Sequence, residues 1–260
     1  MQVDGWISIN PEGGVAEFQT ETPLLPALHE NLERVVLKWR FQPVMIDGVP
    51  RMVRAKTRVI LARNRVGKVY VVKVDNVTFP NNPDAKAETI KESPQPITAL
   101  SMQPPNWPRG LLGANVSGQV LLYIRVGADG RAEQVVAVQS MLFDVKGKNS
   151  VLRDVIDQFE RSALLGATHW RFNVPADRGQ MSAENRTVSV PVVFLMEKRP
   201  ELELPGRWRT IVRNPTRPVE WLPKSPDVKQ AGVTDVAAGE LMSASSEAKL
   251  NTDVVGMIVM

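Results

Sequence analysis

The 260-residue chain contains no cysteine, which excludes disulfides, iron–sulfur clusters and thiolate metal sites. It leaves the compartment open, because an oxidising space tolerates a protein without thiols. Histidine is nearly as scarce: His29 and His169 are the only two, and no acidic residues gather around either at ligand spacing. A bound metal is therefore not expected. A glycine-rich phosphate loop, a nucleophile motif and a histidine placed with a base or an orienting carboxylate are also missing. Asp154 and Asp157 read as surface residues of a helix rather than an acid–base pair. The expectation is a protein that is not an enzyme, with no catalytic residue and no cofactor. No apolar run reaches the length of about 18 residues that a membrane-spanning helix needs. The amino terminus shows neither the charged nor the apolar region of a secretory signal, so the chain as given reads as soluble, without signal or anchor. Lys and Arg exceed Asp and Glu by 32 to 28, a surplus of +4 that is too small to argue for nucleic acid.

What the chain has is a repeat. Trp39-Arg40-Phe41 returns as Trp170-Arg171-Phe172, and a feature that recurs in register reports architecture. Before the first tryptophan, Leu24, Leu28, Leu32, Val35 and Val36 fall on one helical face; before the second, Leu152, Val155, Ile156, Phe159, Ala163 and Ala167 do the same. After each comes a strand-like run, with Thr57, Val59 and Leu61 matched by Val188, Val190 and Val192. Upstream, Gly5 to Ile9 and Gly118 to Leu122 each lead into a glycine turn, at Gly13-Gly14 and at Asp129-Gly130. The predicted order is strand, turn, strand, helix, strand, twice. The length suits two small domains, and 43% apolar with 23% charged residues is ordinary for a globular protein.

The second copy is the sharper. Val120, Leu122, Ile124 and Val126 alternate with Gln119, Leu121, Tyr123 and Arg125, which suits a sheet covered on one side. Gly127 to Gly130 supplies a tight hairpin, and the returning strand is expected over about 131–140. Asn149 or Ser150 is placed to cap the following helix. The last strand, Thr187 to Met196, carries Pro191, which cannot donate to a ladder and favours a sheet edge or a bulge. This copy is expected to expose one edge, unless the chain's own extra strand or carboxy-terminal tail occupies it.

The rest of the chain connects and extends these copies. Residues 80–103 are rich in proline and polar residues and read as a linker ending in an ordered lead-in. Gly67 to Val74 and Gly206 to Arg213 both alternate like strands, so each unit is expected to carry an extra one. Residues 197–260 form a carboxy-terminal extension, ending in an apolar stretch, Val254 to Met260, that is sticky unless it docks as a strand. The basic residues Arg199, Arg207, Arg209, Arg213, Arg217 and Lys224, interleaved with Trp208 and Trp221, could meet phosphates or glycan polymers. With Glu197, Glu201, Glu203 and Glu220 among them, a solvated wrap-around segment is the plainer reading.

Several of these motifs together resemble the carboxy-terminal domain of TonB, the periplasmic energy transducer of Gram-negative bacteria. The resemblance rests on Pro105-Asn106-Trp107-Pro108, Gly118-Gln119-Val120, Val126 to Arg131, Val138-Gln139-Ser140, Trp170-Arg171-Phe172 and Val188 to Phe194, in the family's order across 104–196. The first copy, 1–79, matches more loosely and lacks the proline-aromatic-proline lead-in. The resemblance implies an α+β fold, a tandem repeat of a small antiparallel sheet packed on one helix. It also implies a periplasmic module that binds an extended peptide, such as the TonB box of an outer-membrane transporter, by adding it as a strand, and that can pair as a homodimer. Carried onto this chain, the partner-binding residues are Thr187, Val188, Ser189, Val190, Val192, Val193, Phe194 and Leu195, with Gln103 and Pro104 before the lead-in. The inner-membrane helix and long proline-rich spacer of a working transducer are not in this sequence, so either an anchor was removed from this chain or the protein is a soluble adaptor built from two such domains, the second being the preferred expectation. The alternative is a structural or assembly protein of the cell envelope, associated with peptidoglycan.

Overall fold

A computed structural model describes residues 1–46, 48–79, 97–176, 186–196, 205–222, 242–243 and 250–260. Linker residues 80–96, Arg199, Lys224 and much of the carboxy-terminal extension lie outside the described residues. The chain divides into two compact units. Among the described residues, no helix is long and apolar enough to cross a membrane.

The first unit contains β1 (Gln2–Ile9), β2 (Val15–Thr20), α1 (Pro26–Val36), β3 (Met45–Ile46), β4 (Val49–Pro50), β5 (Val53–Val66) and β6 (Val69–Thr78). Its main sheet runs β2-β1-β5-β6 with antiparallel pairing throughout. Pro26 stands at the start of α1, where its missing N–H costs nothing, and Leu28, Leu32 and Val36 then recur at four-residue spacing to form the buried face. That face meets Val3, Ile7, Val59, Leu61 and Trp39, all at most 1% exposed.

The second unit contains β7 (Thr98–Ser101), a 3₁₀ turn at Arg109–Leu111, β8 (Ser117–Val126), β9 (Ala132–Phe143), α2 (Asn149–Ala167), β10 (Arg171–Asn173), β11 (Thr187–Phe194), β12 (Ile211–Arg213) and β13 (Met242–Ser243). Its main sheet runs β12-β9-β8-β11-β13, and β7 pairs with β10 in a separate ladder. Thr98–Ser101, inside the stretch read as linker, is thus a strand. Helix α2 lays Leu152, Ile156, Phe159, Ala163 and Ala167 on Val120, Leu122, Val190 and Val192. The helix begins at Asn149 itself, with Lys148 at the cap position and no side-chain cap, so neither Asn149 nor Ser150 plays the expected role.

Both units therefore trace hairpin, helix and returning strand, the last pairing antiparallel with the first strand of the hairpin. The Trp-Arg-Phe tripeptide does the same work in each. The Phe41 N–H donates to the Gly13 carbonyl, and the Phe172 N–H to the Gly130 carbonyl, both at 2.8 Å. Arg40 and Arg171 each turn a guanidinium back onto the carbonyl of the preceding tryptophan, both at 2.9 Å. Gly13 and Gly130 take φ of +82° and +77°, and a Cβ on either would fall on the carbonyl oxygen of Phe41 or Phe172.

The tripeptide also receives a neighbouring segment in each unit, from different parts of the chain. In the second unit it is β7, and the Trp170 Nε1–H donates to the carbonyl of Gln103 at 2.8 Å. In the first unit, Leu250 bridges to Phe41, and the Asn251 N–H donates to the Arg40 carbonyl at 2.8 Å. Residues beyond continue along β6, where Val72 and Val74 exchange backbone hydrogen bonds with 256–260 and Val254 and Val259 enter the core. The apolar terminus docks, as its composition required.

The expected extra strands differ in placement. Val69–Thr78 lies on the outer side of β5, whereas Ile211–Arg213 joins the far side of the other sheet, beside β9. The second sheet is also covered on both faces, not one. Leu121, Tyr123, Val138, Met141 and Phe143, on the face away from α2, pack against Val219 and Leu222.

The glycine contacts predict a graded stability effect. Gly13→Ala should lower the unfolding free energy by more than about 2 kcal/mol, because a left-handed φ and a backbone collision act together. Gly67→Ala, at φ +63° with open space around it, should cost only about 1–2 kcal/mol. Denaturant titration followed by circular dichroism measures both, and equal losses would show that the approach to Phe41 carries no energy.

Candidate functional site

Strand β11 was the expected docking strand, and its surroundings define what it can offer. Along its inner side it pairs with β8 for its full length, from Thr187 opposite Arg125 to Phe194 opposite Gly118. Val188, Val190, Val192 and Phe194 point into the α2 core and are at most 5% exposed. Thr187 and Ser189, on the other face, are buried as well, and Leu195 packs partly buried with the outer apolar cluster. Only Val193 within the strand is half-buried. The side chains named from the sequence are thus mostly core, and what β11 can present to a partner is its outer main-chain edge.

That edge is held in part by the chain itself. Strand β13 pairs with it at two positions, Val188 with Ser243 and Ser189 with Met242. From Val190 to Phe194, no strand among the described residues lies on the outer side. Pro191 falls in this interval and has no N–H to contribute.

Gln103 and Pro104 are exposed, but they lie elsewhere. Gln103 is fixed at the end of α2 through its carbonyl and Trp170. Pro105 packs against Gly166, and the Ser162 hydroxyl donates to the Asn106 carbonyl. Trp107 then meets Phe159 and Phe194 edge-on, with ring centroids 5.7 and 5.9 Å away. The lead-in therefore touches β11 through Trp107, at Phe194, and no hydrogen bond among the described residues joins Gln103 or Pro104 to that strand. His29 is half-buried and His169 exposed, each on its own unit.

The sequence reading missed how the reverse face is sealed. Residues 209–222 cross it, and Arg209 and Arg217 of the basic stretch pair with acids on earlier elements, while Arg207 is exposed. Arg209 reaches Asp144 at 3.1 Å and lies over the Phe143 ring at 4.1 Å. Arg217 donates to Glu160 Oε2 at 2.7 Å, while the Ser140 hydroxyl and Asn214 Nδ2 donate to Oε1 at 2.6 and 2.9 Å. Asn214 also accepts the Ser140 N–H at 2.7 Å. Finally, the Trp221 Nε1–H donates to the Thr187 hydroxyl at 3.0 Å, which pins the segment to β11. The signal was present: Glu160 lies between Ile156 and Ala163 on the apolar stripe of α2, where a carboxylate requires a buried partner.

Over 100 residues the chain is 33% identical to Protein TonB of two strains of Xanthomonas campestris pv. campestris. A stretch of this chain is TonB-like. The match covers 38% of this chain and 38% of each relative, so the chain spans well under half the length of the curated relatives it matches. No family model and no solved structure matches it.

The network around Glu160 gives a direct test of the seal. Its side chain is 8% exposed while that of Arg217 is 47% exposed, so the pair lies at the boundary of solvent. Arg217→Ala should destabilise the second unit by about 1–3 kcal/mol, the cost of an under-satisfied buried acceptor. Amide hydrogen exchange over 211–219 should rise in that variant, and wild-type protection there would refute the assignment.

Proposed function

We propose that this chain is a non-catalytic protein-interaction module of the periplasm, two TonB-like domains in tandem, that takes up an extended peptide as an added strand beside β11. The observation that carries the reading is the outer edge of β11 between Val190 and Phe194. Its opposite side is fully paired with β8, and no described strand covers it. The likeness to Protein TonB and the shared hairpin, helix and strand path of both units support it. In such a complex, main-chain hydrogen bonds supply the affinity. Since β11 buries its side chains on both faces, selectivity must come from residues that border the edge.

The two units differ in how ready they are for such a role. The outer side of β5 is occupied by β6 over nine register pairs, so the second unit is the receptor and the first is not. Strand β13 covers only two positions of β11. An incoming peptide either pairs from Val190 onward or displaces β13, and in the second case binding is weakened by that competition. A TonB-dependent outer-membrane transporter is the partner class that the resemblance implies.

Titration of the ¹⁵N-labelled chain with a TonB-box-like peptide tests the reading. Amide shifts should move along 187–195 and at 242–243. Ser243→Pro, which weakens the self-pairing by removing a donor, should tighten binding several-fold. An unperturbed 187–195 at saturating peptide would sink the proposal.

A further inference from the structure

The tip of the β5–β6 hairpin in the first unit has a chemistry that neither the core nor strand addition uses. Every residue from Arg63 to Tyr70 is exposed. The hairpin closes through Gly67, at φ +63°, and its last rung pairs Val66 with Val69. These valines are 57% and 62% exposed, and Tyr70 is 59% exposed, so the tip is apolar in water. Ile258, bridged to Lys73 on the same strand, adds another apolar side chain at 63% exposure.

Charge along the distal hairpin's own sequence is of one sign. Between Asp47 and Asp75 the sequence has no acidic residue but eight basic ones. Four of these, Arg63, Arg65, Lys68 and Lys73, belong to the distal hairpin, and no ion pair joins them to any described residue. Arg63 stacks on Tyr70 and Trp208, at 4.9 and 5.1 Å from the ring centroids, and Arg65 donates to the carbonyl of Gly67 at 3.0 Å. Those contacts hold the two arginines in place without neutralising them.

An exposed apolar point among cations that form no ion pair with any described residue matches the layered chemistry of a bilayer surface. We propose that this hairpin docks on a membrane carrying anionic phospholipid. Val66 and Val69 enter the boundary between headgroups and acyl chains, Tyr70 sits at headgroup depth, and Arg65, Lys68 and Lys73 face the phosphates. An acidic protein surface would satisfy the cations but leave the two valines in water. An apolar protein groove would take the valines and strand the cations.

Flotation of the full chain with vesicles decides it. Wild type should float with vesicles of phosphatidylcholine and phosphatidylglycerol and not with phosphatidylcholine alone. Arg65→Gln with Lys68→Gln should reduce binding at least about tenfold, at roughly 1 kcal/mol per cation. Val66→Ser with Val69→Ser should reduce it several-fold without changing net charge. All four positions are exposed, so the unfolding midpoint should be unchanged; Lys68→Gln alone, in the turn, serves if the double variants unfold. The proposal is overturned if wild type ignores anionic vesicles. It is equally overturned if the serine variant binds as wild type does, or if polyglutamate beads retain the chain as well as vesicles do, since those results assign the tip to an acidic polypeptide.

Discussion

One backbone contact organises each unit: the hairpin-turn glycine that meets the phenylalanine of Trp-Arg-Phe. Gly13 and Gly130 adopt left-handed φ and let Phe41 and Phe172 approach closely enough to donate to their carbonyls. The contact ties the end of the helix to the turn of the hairpin, and so fixes the helix across the sheet. Trp39 and Trp170, one residue away from the arginine, then fill the space beneath, at 0% and 3% exposure. An alanine at either tryptophan removes on the order of 3–5 kcal/mol of burial, so side-chain packing and backbone approach reinforce one another.

On that shared frame the two units solve their boundaries differently. The first extends its sheet sideways, through β6 and residues 256–260, and leaves Asp4, Trp6, Lys56 and Arg58 on a polar face away from α1. The second seals that same face with 209–222, held by Glu160, Asp144 and Thr187. Closing a face consumes the apolar side chains on it. It leaves the strand edge as what remains for recognition, which is why the candidate site is a line of main-chain groups rather than a pocket.

Much of this was legible in the sequence. The tripeptide repeat, the glycine turns and the helical stripes located both hairpin–helix–strand paths, because each is a local pattern with a short-range cause. Apart from the cap of α2, which falls at Lys148, the errors were long-range. Alternation in 119–126 said which residues share a face, but not that Leu121 and Tyr123 would be covered by a segment about a hundred residues later. The basic stretch was read as a solvated wrap-around segment for the same reason: it does wrap across the sheet, but Arg217 and Arg209 reach Glu160 and Asp144 on earlier elements, which no local pattern announces. For β11, apolar alternation identified the strand, and of the two expectations for its edge, exposed or covered by the chain itself, each holds in part: β13 pairs with two positions and no described strand covers the rest.

The segment beside Trp-Arg-Phe comes from residues 98–101 in the second unit but from 250–252 in the first. The loop closed by that contact is therefore about seventy residues long in the second unit and over two hundred in the first. Loop-closure entropy grows only with the logarithm of length, so the threefold longer loop costs the first unit roughly 1 kcal/mol more, a modest penalty for drawing its covering segment from so far along the chain.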